Sequence, residues 1–168
     1  MDIPTLNQYF RQPTLHPLVA AGDLSRADET LFEEQDLEMY CVILMDSVFG
    51  ELSKNGRPLP YQAGSIFTLV PGQRVSLKLD YTAKRRGWIL AFRPELLVKA
   101  GLGRDFYMFD YFNHDFGTAL KLDERERGIL AGCYENAFME LLQEPDYLTN
   151  HMIRLCIGRL LSYCKRVF

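Results

Sequence analysis

The feature that most constrains the fold is a series of short apolar runs between residues 40 and 92, separated by turn dipeptides. Tyr40-Cys41-Val42-Ile43-Leu44-Met45 is continuous and of strand length, which reads as a strand buried on both faces. Residues 48–54 then run into Asn55-Gly56 and leave through Arg57-Pro58-Leu59. Asn-Gly is the strongest short hairpin signal, because both central turn positions need positive φ. Residues 66–70, 75–79 and 87–92 supply further strands, separated by Pro71-Gly72 and by the basic run Lys84-Arg85-Arg86, read as a solvated turn. Short strands at this spacing predict a barrel or sandwich.

Helical signals follow. Pro94 at a first helical position, with Glu95 behind it, starts a short helix near 94–100 that Gly101 and Gly103 end. A loop with Phe106, Tyr107, Phe109, Tyr111 and Phe112 either plugs one end of the barrel or lines a pocket mouth. Asp123 and Glu126 have the spacing of a capping box, and the helix they open runs to about Gln143 before Glu144-Pro145-Asp146 breaks it. In the last helix Ile153, Ile157, Leu160, Cys164 and Val167 recur at the helical period. That pattern reaches Phe168 with no stop signal, so the chain is expected to be one part of a longer protein. The resulting division is a polar, Pro-punctuated lead-in over 1–36, a β-barrel or sandwich over 37–120 and a helical hairpin over 121–168.

Charge and composition narrow the function classes. With 168 residues the chain can bury a real core, and its net charge of −3 and pI near 5.6 lack the basic balance of a module that grips phosphates. No apolar run reaches membrane-spanning length and the first residues lack a signal-peptide pattern, so no membrane partner and a cytoplasmic location are expected. Cys41, Cys133, Cys156 and Cys164 never form Cys-x-x-Cys and read as core thiols. His16, His114 and His151 are scattered, which points to no metal site and no cofactor.

The stretch Gly64-Ser65-Ile66-Phe67-Thr68-Leu69-Val70-Pro71-Gly72-Gln73 resembles one in the cupin-like sensor domains of AraC-type transcription regulators. Gly87 to Leu97 is similar to that family's strand-then-Pro-helix segment, and Leu160 to Phe168 to the helix that precedes its DNA-binding domain. The resemblance covers the chain from about Leu37. It implies a mainly β fold with α, a cupin-like jelly-roll barrel followed by two carboxy-terminal helices. It also implies a domain that binds a small effector, dimerises, and controls two helix-turn-helix units absent from these residues. DNA would then be contacted only through that missing domain. Catalytic cupins carry a His-x-His-x(3,4)-Glu metal motif. This chain has no His-x-His, and no catalytic residue is expected.

Within that frame Trp88, Phe92, Arg93 and Tyr40 are the ligand-binding candidates. Trp88 and Phe92 lie on one alternating strand face, which equally suits core, and Arg93 must find solvent, a carboxylate or a ligand. A homodimer is expected through Ile153, Ile157, Gly158, Leu160, Leu161 and Cys164, since a glycine inside a helix costs roughly 1 kcal/mol against Ala and needs a reason such as close helix approach. The alternative is a free-standing sugar-binding jelly roll with Trp88, Tyr40, Tyr61, Tyr81 and Phe92 as platforms and Glu51, Arg57 and Arg93 as polar partners.

Overall fold

The computed structural model describes residues 1–99, 101–104, 106–114 and 117–168. Strand β3 (Tyr40–Met45), buried from Cys41 onward, is the axis of the molecule. It pairs antiparallel with β6 (Ser65–Leu69) on one side and β8 (Gly87–Phe92) on the other. With the edge strands β1 (Val19–Asp23) and β9 (Leu120–Lys121) these form a five-stranded sheet, in the order β1-β8-β3-β6-β9. A second sheet has the order β2-β7-β4-β5, from β2 (Gln35–Asp36), β4 (Gly50–Lys54), β5 (Arg57–Pro58) and β7 (Arg74–Leu79). The β4–β5 hairpin turns at Asn55 and Gly56, with φ of 51° and 74°, as the Asn-Gly signal requires.

The period-two alternation of the strands assigns the two faces of the larger sheet to two cores. Cys41, Ile43 and Met45 of β3, with Ile89 and Ala91 of β8, face the second sheet. Val42 and Leu44, with Trp88, Leu90 and Phe92, face the helices α3 (Glu124–Leu141) and α4 (Thr149–Val167). Sheet, sheet and helix pair therefore form three layers, with the five-stranded sheet in the middle.

Local chemistry sets the helix ends. Asp123 accepts from the Glu126 amide (2.7 Å) while Glu126 accepts from the Asp123 amide (2.9 Å), the reciprocal capping box that opens α3. The short helix α2 (Pro94–Lys99) begins at proline as expected, and position 100 lies outside the described residues. No helix among the described residues is long and apolar enough to cross a membrane.

Residues 1–36 do more than lead in. Helix α1 (Ile3–Tyr9) is capped by Asp2 and buries Ile3 and Leu6 completely. Phe10 then lies against β1 so closely that a Cβ on Gly22 would meet its ring at 2.5 Å. Five residues that look polar or small in sequence become an edge strand because β8 pairs with all of them, from Val19 opposite Phe92 to Asp23 opposite Trp88.

Candidate functional site

An apolar cavity of about 50 Å³ lies between the two sheets. Its walls include Cys41, Ile43 and Met45 of β3, Ile89 of β8, and Leu52 and Leu77 of the second sheet. Phe32 and Leu37 also line it, as does Met1, whose terminal ammonium donates to the carbonyl of Asp36. Among the described lining residues Ser76 alone is polar, and its hydroxyl pairs with that of Ser53 at 2.8 Å. Burial pushes the Cys41 thiol up to about 12, so it stays protonated and uncharged at neutral pH. Apart from the Met1 terminal ammonium, which is engaged by the Asp36 carbonyl, such a wall offers dispersion contacts, so it favours neutral apolar groups over ions.

The ligand candidates from sequence do not reach this space. Trp88 stacks on Tyr134 of α3 (6.5 Å between centroids, 15°) and meets Phe138 edge-on at 5.6 Å. Phe92 stacks on Tyr40 at 5.4 Å, and Phe106 and Phe112 close over Tyr40 at 5.3 and 5.1 Å. The aromatic loop thus fills the gap between sheet and α4, and the Tyr111 hydroxyl anchors it by donating to the Leu161 carbonyl at 3.1 Å. Arg93 finds a carboxylate, Glu95, at 3.0 Å, which holds the Glu95 carboxyl below its ordinary value. Tyr40 and Phe92 are brought together, while Trp88 and Arg93 stand apart from them.

The cavity residues lie on the same strands with the opposite parity. Trp88 and Phe92 mark one face of β8, and Ile89, one step along, looks the other way into the cavity. The parity of β3 and β8 was the available signal. The aromatic residues mark the helix-facing side instead.

The sugar-site candidates are also dispersed. Glu51 and Tyr61 line a wide, open depression on the second sheet, and Tyr61 is committed to the β4 backbone, accepting from the Phe49 amide and donating to the Gly50 carbonyl. Tyr81 is exposed in a turn. Among the described residues no three His, Cys, Asp or Glu side chains converge as a metal site.

The expected dimer contacts lie inside the single chain. Ile153, Ile157, Leu160, Leu161 and Cys164 are each 1% exposed or less within a single chain, packed against the loop, α3 and the sheet. Their side chains pack within the fold of the single chain. Gly158 faces Leu102 of its own chain, where an added Cβ would make an ordinary contact at 3.7 Å.

No family model matches the chain. No curated protein matches it either. Among solved structures, the crystal structure of the AraC-like transcriptional activator CuxR is similar at a TM-score of 0.45 and 14% sequence identity, over 90% of this chain and 49% of that one. The chain therefore spans about half the length of that structure.

Proposed function

We propose that this chain is the effector-sensing and dimerisation domain of an AraC-type, cytoplasmic transcription regulator, cupin-like in its barrel. It would act on a helix-turn-helix DNA-binding domain outside these residues. The observation that carries the sensing role is the shared wall: β3 and β8 line the cavity with one face and seat the helix pair with the other. The effector class that suits the wall is a small, neutral, apolar molecule. As it stands the cavity admits only a very small group, so a larger effector must displace wall side chains. Binding then favours an expanded arrangement of β3 and β8 over the compact one. Differential affinity of this kind is what any ligand needs in order to shift a conformational equilibrium.

Toluene and benzoate, similar in shape but one neutral and the other anionic, test the site. Toluene is expected to raise the thermal midpoint, corresponding to about 2.7 kcal/mol at a hundred times Kd, and benzoate to leave it unchanged. Leu77→Phe, which fills the cavity from the second sheet, is expected to abolish the toluene effect. Equal responses to both compounds, or a toluene effect that survives Leu77→Phe, would refute the assignment.

A further inference from the structure

The groove between α3 and α4 is rich in sulfur. Cys133, Met139, Met152 and Cys156 all line its volume of about 350 Å³. The whole chain has four cysteines and six methionines among 168 residues, so this is a concentration of sulfur in one place. Helix α3 supplies Cys133 and Met139, and α4 supplies Met152 and Cys156. The helices are joined by residues 142–148 and lie side by side as antiparallel neighbours. Met139 in the last turn of α3 and Met152 in the first turn of α4 therefore flank the end of the groove near that connection. The two cysteines sit deeper, Cys133 at 3% exposure and Cys156 half-buried.

Helical side chains lean toward the N-terminus of their own helix. In α3 that direction carries Met139 toward Cys133. In α4 it carries Met152 toward the connection and away from Cys156. The thioether of Met139 is thus the one disposed to join the two thiols.

Donor type selects the ligand. Thiolate and thioether together are a soft set, which suits copper(I). Zinc takes thiolate, imidazole and carboxylate, and among the described residues no three His, Cys, Asp or Glu side chains converge. Each thiol gives its proton to solvent as its sulfur–copper bond forms, so one copper(I) displaces two protons with no change of oxidation state. The filled site then carries one net negative charge. Burial raises both thiols above their ordinary value; Glu140 adds to the rise at Cys156, and Arg159, on the same groove, opposes it at both. Arg159 is the counter-charge that the filled site needs.

We infer that Cys133, Cys156 and Met139 form a three-coordinate site for copper(I) between α3 and α4. It stands apart from the apolar cavity between the sheets, and an ion held there ties the two helices together.

Anaerobic titration of the 168-residue chain with copper(I), in competition with the chromogenic chelator bicinchoninate, tests it. One ion per chain is expected. Cys156→Ser is expected to weaken binding by more than the ~10–100-fold that loss of a supporting partner costs, and Met139→Leu by about ten-fold. Met152→Leu is expected to leave the affinity unchanged. The copper-free melting curve of Met139→Leu should match that of the unaltered chain, since Met139 is 59% exposed, so its weaker binding cannot come from unfolding. Copper(I) should raise the thermal midpoint of the unaltered chain and not that of Cys156→Ser. Copper(I) held equally well by Cys156→Ser, or lost entirely to the chelator by the unaltered chain, would overturn the site. A loss in Cys156→Ser with none in Met139→Leu would overturn the thioether ligand.

Discussion

Tyr134 is fully buried under Trp88, yet its hydroxyl has no hydrogen-bond partner among the described residues. An unsatisfied buried hydroxyl costs about 1–3 kcal/mol, so Tyr134→Phe is expected to raise stability by about 1 kcal/mol in urea unfolding. A comparable loss would reveal a partner for the hydroxyl. Gly158 gives a second expectation at this scale. Among the described residues the contact an added Cβ would make, with Leu102, is at ordinary distance, so Gly158→Ala is expected to stabilise α4 by about 1 kcal/mol. Leu160→Arg has the opposite sign. A charge placed at a fully buried position is expected to unfold the domain, seen as loss of the cooperative transition, and any loss of dimer would only follow from that. From sequence, both Leu160 and Leu155 lie on the helix, and periodicity alone could not say which side of a wide apolar stripe the fold would consume. The deciding contact was Tyr111 and its loop, some fifty positions away.

At the scale of elements, His16 joins the segment before β1 to the start of α4. Its Nδ1 accepts from the Leu18 amide at 3.2 Å, which leaves Nε2 as the protonated nitrogen facing Asn150 Oδ1 at 3.4 Å. Burial lowers the His16 pKa below its ordinary 6.5, outweighing the Asn150 contact. The folded state therefore prefers neutral His16. Its contribution to stability is complete above about pH 6.5 and is lost as the pH falls through the lower folded-state value. Stability measured from pH 7 to 5 should decline less steeply in His16→Gln; an unchanged slope would assign the decline to other groups. The elements with local signatures were legible in the chain: the Asn-Gly hairpin, the Asp123–Glu126 capping box and the continuous run of β3. Strand β1 was not, because Val-Ala-Ala-Gly-Asp has weak strand propensity and is held by its pairing with β8 and by Phe10 across Gly22. Helix α1 was missed for a related reason, since its seven residues depend on tertiary burial of Ile3 and Leu6 more than on propensity.

At the scale of the molecule, one sheet serves two cores, and this arrangement gives the cavity its meaning. A group entering between the sheets presses on Cys41, Ile43 and Ile89, whose strand neighbours Val42, Leu44 and Trp88 touch the helix layer. Close-packed interiors transmit such displacements because there is little free volume to absorb them. The layers follow from strand parity, but the cavity depends on how far the second sheet stands off, and a sequence pattern carries no such distance. Trp88, the single tryptophan, sits on the helix side of β8 against Tyr134 and Phe138. It reports on the layer opposite the cavity. The most direct test of the account is therefore Trp88 emission during a toluene titration of the intact chain and of Leu77→Phe. A saturable change in the intact chain that is absent in Leu77→Phe is the expected result. Toluene that stabilises the protein yet leaves Trp88 emission unmoved would contradict the claim that the shared sheet couples cavity to helices.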